Sequence, residues 1–199
     1  KEFCSGGVTV TGGEPMAQME FVTELFKRLS TKGVNTALDT SGVLFNKEKS
    51  VLIKCLPNCA CDLENEVLTT IASYALMANH RLINVALSDN LKIIETGAFL
   101  GSDIVSVTGG YGLRSVGIGA FGDCKKLEMA AFQDGIETIG VGAFNNCRKL
   151  EELLIPKTVS SIGFDRSYST ISKKTTILCE SGSYAEQYAR EHGHNIRLL

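Results

Sequence analysis

Histidine, net charge and long apolar runs are what this chain has least of. With three histidines in 199 residues, a relay of the Ser/His/Asp or Cys/His kind has little to draw on. His80, His192 and His194 all lie away from any glycine-built oxyanion site, so no catalytic residue is assigned. A net charge of −2, with no basic stripe, argues against nucleic acid as a partner. No apolar run is long enough to span a bilayer. The seven cysteines are odd in number and their placement follows the repeat, so no disulfide framework of a small secreted domain is implied. The sequence opens at Lys1 and not at Met, which reads as a processed or truncated chain, so the lack of a signal peptide says nothing about secretion.

What is present is a period of 22 to 23 residues, marked by Gly97-Ala98-Phe99, Gly119-Ala120-Phe121 and Gly142-Ala143-Phe144. Apolar residues open each unit at Leu68, Leu91, Leu113, Ile136 and Val159, and others follow three residues later at Ile71, Ile94, Val116, Ile139 and Ile162. A unit too short for a helix pair, supplying one short strand and one tight return, reads as a leucine-rich-repeat-like solenoid. One unit cannot bury its own apolar face, and stacking does it. Phe99, Phe121 and Phe144 should form an internal ladder, each worth roughly 1.5–3 kcal/mol of burial. Cys124 and Cys147 share one repeat position with Asn79 and Ser102 and are expected inside as small stacked residues, with a disulfide between neighbouring rungs as the alternative.

Each rung also carries a strand. Leu150, Leu153 and Ile155 point inward before Pro156 ends the run, and Leu82, Val85 and Leu87, or Leu127, Ala130 and Phe132, repeat the pattern. The rung at Ile104 and Val107 is one residue shorter. The outward positions are Asn84, Ala86, Ser106, Thr108, Met129, Ala131, Glu152 and Leu154. That small, weakly charged face is either a partner-binding surface or a plain solvated sheet.

On these residues the chain resembles the BspA-like leucine-rich repeat family of bacterial surface proteins and some protist proteins. The stretch IETIGVGAFNNCRKLEELLIP follows the family's repeat, GVLFNKEKSVLIKC (42–55) resembles its hairpin insert, and ILCESGSYAEQYAREHGHNIRLL (177–199) resembles its closing cap. The resemblance implies a turn at Asn46-Lys47-Glu48-Lys49, a short helix opened by Ser183-Tyr184-Ala185, and Tyr188 packed back on the last rung. The outer units depart from the pattern. The first has Tyr74-Ala75-Leu76, and the last has Asp165-Arg166-Ser167 with no aromatic, as terminal units of a solenoid often do.

The first forty residues do not share the period. Val8-Thr9-Val10 reads as a strand, Phe21, Val22, Leu25, Phe26 and Leu29 as one helix face, and Val34 to Leu38 as a second strand, together one βαβ unit. The run SGGVTVTGGEPMAQMEFVTELFKRLSTKGVNTALDTSG (5–42) resembles an internal piece of the pyruvate formate-lyase activating enzymes of the radical S-adenosylmethionine (SAM) superfamily. The resemblance implies SAM contacts at Gly12, Gly13 and Glu14, with Asp39 and Thr40 bordering the same pocket. Glycines allow close backbone approach, and a carboxylate accepts from an ammonium group. The family's C-x3-C-x2-C cluster motif should precede the glycine turn, and only Cys4 does. Cys55, Cys59 and Cys61 give C-x3-C-x-C on the wrong side of it, either thiols of an irregular connector or ligands for iron or zinc. His192 and His194 form H-x-H, read as a solvated tail or half of a metal site. No metal and no cofactor is assigned.

The expected fold class is α/β: a leucine-rich-repeat-like solenoid of about five units with a C-terminal helical cap, preceded by one short βαβ unit. Domains are expected at 1–41, 42–66 and 67–199, with the face of Phe21, Leu25 and Leu29 a candidate to cover the open first edge of the array. The expected function is a non-enzymatic module that binds a protein or glycan, with adhesion or host contact at a cell surface implied by the first resemblance. The alternative is the remnant of a radical SAM activating enzyme, without the cluster its chemistry needs.

Overall fold

A computed structural model describes 68–167 and 169–199 together with Leu63, and, closer to the amino terminus, the backbone of four strands and the residues Glu24 and Arg28. Strands β1 (Val8–Thr11) and β2 (Thr36–Asp39) pair in parallel. Between them Glu24 and Arg28 are helical and form an ion pair at 2.8 Å, four residues apart, as a helix surface allows. A parallel strand pair with helical residues between its strands agrees with the βαβ unit expected from the sequence. The face of Phe21, Val22, Leu25, Phe26 and Leu29 lies outside the described residues.

The repeats wind into two parallel sheets with the core between them. Three-residue strands β6 (Asn84–Ala86), β8 (Ser106–Thr108), β10 (Met129–Ala131) and β12 (Glu152–Leu154) line one side in register, one per rung. Two-residue strands β5 (Thr70–Ile71), β7 (Ile93–Ile94), β9 (Ser115–Val116), β11 (Thr138–Ile139) and β13 (Ser161–Ile162) line the other. The antiparallel hairpin of β3 (Val43–Asn46) and β4 (Val51–Cys55) extends this second sheet, because β4 pairs in parallel with β5. The first sheet continues through β14 (Thr176–Cys179) to β15 (Asn195–Leu198).

The ladder forms as expected. Phe99, Phe121 and Phe144 are fully buried, with centroids 4.9 and 5.4 Å apart and planes within 8° and 4°, and Phe132 tilts against the last two. The return that carries them has two left-handed residues per rung. One is the triplet glycine, with φ of 59°, 58° and 66° at Gly97, Gly119 and Gly142. The other, four residues on, is Ala78, Gly101, Asp123 or Asn146, with φ between 54° and 70°. Each is the third residue of a hydrogen-bonded turn, where a left-handed residue is required. Glycine meets that demand freely, and Asn and Asp tolerate it. Rung-to-rung bonds such as Phe99 N to Ala120 O at 2.7 Å and Phe121 N to Ala143 O at 2.8 Å satisfy the buried backbone of the return.

The end units keep this geometry with other residues. Tyr74 stands at the glycine position with φ 59°, and its ring lies over Gly97. Leu76 fills the phenylalanine position, since its N–H donates to Ala98 O at 2.7 Å. In the last unit the chain detours after Gly163 and rejoins the register at Thr170, whose carbonyl accepts from Phe144 N at 2.9 Å and whose hydroxyl accepts from Gly142 N at 3.0 Å. Ile171, fully buried, therefore follows at the phenylalanine position. The expectation from Asp165-Arg166-Ser167 missed this: the aromatic is absent, but its place in the core is filled by Ile171, four residues after Ser167.

The C-terminal helix (Tyr184–His192) is capped by Ser183, whose Oγ accepts from Glu186 N, and it ends at left-handed Gly193. Tyr188 is 3% exposed against the last rung, as the resemblance implied.

Candidate functional site

All eight expected outward positions lie on the solvent side of the first sheet, while Val85, Val107, Ala130 and Leu153 between them are buried. They form two rows. Asn84, Ser106, Met129 and Glu152 make one, continued by Thr176 and Asn195; Ala86, Thr108, Ala131 and Leu154 make the other, continued by Leu178 and Arg197. Of these last four, Leu178, Asn195 and Arg197 fall where the sequence resembles a cap and Thr176 stands just before it, although Thr176 to Cys179 alternates outward and inward as a strand should. Ser106 Oγ donates to Asn84 Oδ1 at 2.8 Å, and Arg197 Nη2 reaches over β14 to Glu152 Oε1 at 2.6 Å. Along the return, Asp103 accepts from Lys126 at 2.8 Å and meets exposed His80 at 3.3 Å, and Lys126 above all holds its carboxyl below the usual value.

The second sheet carries a feature that the sequence does not announce. An open groove of about 490 Å³ runs over Ile93, Ser115, Thr138 and Ser161, with Thr96, Ile118 and Val141 along one side. A side chain on Gly117, Gly140 or Gly163 would meet the backbone of the preceding rung, so the glycines permit close stacking of this floor. Glu95 accepts from Ser73 N and Oγ, both at 2.9 Å. The repeated glycine at 117, 140 and 163 was the available signal.

Cys124, Cys147 and Cys179 are buried free thiols. Cys124 Sγ donates to Phe99 O at 3.1 Å and Cys147 Sγ to Phe121 O at 3.0 Å, so both stack inside without the alternative disulfide. Burial pushes the Cys124 thiol up to about 11 and raises Cys147 further. The solvated-tail reading of the last histidines is corrected. His194 is 8% exposed and stacks on Tyr188, and His192 stacks on the same ring at 4.2 Å with its Nδ1 2.8 Å from Tyr188 O. Among the described residues no group of three His, Cys, Asp or Glu is placed to hold a metal. Gly12, Gly13, Glu14, Thr40, Cys59, Cys61 and the side chains of Asp39 and Cys55 lie outside the described residues.

The model of the BspA type leucine-rich repeat region matches 67–197 in six copies, which is more than half of the chain. This chain belongs to that family. Its solved relatives share the fold at low identity. A leucine-rich cell surface protein from Faecalibacterium prausnitzii A2-165 is 22% identical with a TM-score of 0.63, covering 78% of this chain and 44% of its own. The leucine-rich repeat protein of T. pallidum is 19% identical with a TM-score of 0.57, covering 68% of this chain and 67% of its own. A separate 45-residue stretch is 53% identical to the pyruvate formate-lyase-activating enzymes of Staphylococcus epidermidis and Staphylococcus aureus. That match takes in 23% of this chain and 18% of the S. epidermidis enzyme, so the chain spans under a fifth of these curated relatives. Among the described residues no helix is long and apolar enough to cross a membrane.

Proposed function

We propose that this BspA-type solenoid is a non-enzymatic binding module that engages a protein or glycan at a cell surface through the outward rows of its six-stranded sheet. The observation that carries this is the continuity of the face. Six strands in register present two outward rows, mostly of polar and apolar uncharged side chains with the Glu152–Arg197 pair at one end, around Met129, which is 41% exposed. The cell surface protein of F. prausnitzii supports the location by its likeness in fold. The test is binding of the labelled chain to cultured epithelial cells and to a glycan array. Met129→Glu combined with Ala131→Arg should weaken saturable binding at least about tenfold, the loss of about 1.4 kcal/mol. Lys125→Glu, on the return, should leave it unchanged. Equal losses in both variants would remove the face from the reading.

A second reading rests on the 53% match to the activating enzymes. The segment 5–42 is then a remnant of a radical SAM activase whose turn at Gly12, Gly13 and Glu14 still holds SAM. Calorimetric titration with SAM, and its loss in Glu14→Ala, separates this reading from the first.

A further inference from the structure

His194 sits at the seam where the C-terminal helix turns back as β15. Gly193 adopts φ 65°, and His194 N donates to Ala189 O at 2.8 Å. The imidazole ends up 8% exposed, its centroid 5.7 Å from that of Tyr188 and the planes 15° apart. Neither Nδ1 nor Nε2 makes a hydrogen bond of good geometry, and the only group that favours its protonated form is the Ser172 backbone. Buried polar atoms are nearly always paired, so this ring is tolerated only as a neutral, largely apolar surface.

The charges around it offer no help to a cation. Lys173, from the turn after Ile171, and His192, from the helix, both oppose a positive ring. On the helix, Glu186 is paired with Arg190 at 2.5 Å, Glu191 accepts from Gln187, and burial raises the Tyr188 phenol. Lys174 follows Lys173 in the turn, and Arg197 on β15 is paired with Glu152.

We propose that the helix and β15 form an acid-released latch, in which protonation of His194 puts an unpaired cation into the seam and frees β15 from the edge of β14. Burial, with Lys173 next, holds the ring's pKa below its ordinary value, against a smaller pull from the Ser172 backbone. The released chain takes a proton as pH falls through about 6.5, while the docked cap resists it. The docked state is thus fully favoured above that pH and loses ground below it. Release uncovers the edge of Thr176–Cys179, a template for strand pairing, and takes Arg197 from Glu152 on the outward face.

The experiment is amide hydrogen exchange of the full chain at pH 7.5 and 5.0, corrected for the intrinsic pH dependence. Protection of Ile196 to Leu198 should fall severalfold or more between the two pH values, relative to β8 and β10. His194→Phe should hold its protection at both values. No fall in the native chain, or an equal fall in His194→Phe, overturns the latch. Should His194→Phe not fold, the imidazole titration of the native chain by NMR decides: a midpoint below the ordinary value supports the proposal, and one at or above it overturns the proposal.

Discussion

The middle rungs and the end rungs solve one problem with different residues. Units two to four place glycine at the first left-handed position, and three phenylalanines stack behind it. At the first end Tyr74 bears the same φ and Leu76 takes the core place; at the last, the chain detours and Thr170 and Ile171 resume the register. A rung thus demands a backbone path and a buried volume at one point, and the Gly-Ala-Phe triplet is the cheapest way to supply both.

The strongest way to break the middle is to remove its central ring. Phe121→Ala should cost about 3–5 kcal/mol and Ile171→Ala about 2–5 kcal/mol, measured by urea unfolding. If the end rung frays independently, only Phe121→Ala will move the main transition. Alkaline unfolding tests the buried thiols, with Cys124 of the middle rungs isolated by its own variant. The Cys124 thiol is raised to about 11, so the unfolded chain ionises first as pH rises from 9 and the native state does not follow. Cys124 should account for about 2–3 kcal/mol of the fall in stability between pH 9 and 11, with Cys147 adding to it, and Cys124→Ala should shrink the slope by that share. Smaller again are the glycines. Gly119→Ala meets open space but keeps a left-handed φ, at about 1–2 kcal/mol. Gly97→Ala also collides with the Tyr74 ring and should cost more, an excess that vanishes in a Tyr74→Gly background. The smallest effect has the opposite sign. Ala78→Gly relieves a left-handed alanine and should raise stability by about 0.5–1 kcal/mol on thermal unfolding.

The inner rungs were legible because the triplet recurs without interruption and its inward residues are unambiguous in kind. Ile171 was not, since an insertion breaks the spacing and only the bond from Phe144 N to Thr170 O restores it. The second left-handed position stayed hidden behind Ala78, Gly101, Asp123 and Asn146, which share a conformation and no side-chain chemistry. On the functional side, alternation exposed the rows from Asn84 to Leu154. The groove over Ser115 and Thr138 was missed because its strands are two residues long and leave no alternation to read, so the repeated glycine is its one trace in the sequence. The burial of His194 depends on how Gly193 closes the helix, which H-x-H spacing does not encode.

The detour between Gly163 and Thr170 has a practical side. β13 pairs with β11 before the detour, and after it Thr170 rejoins the fourth rung through its carbonyl and its hydroxyl, while Phe164 is 55% exposed and Asp165 and Ser167 bond each other locally. The array therefore possesses a natural splice point. A foreign epitope or tag inserted there, with Gly163 and Thr170 retained as its anchors, should be carried on the surface while the stack beneath remains wound.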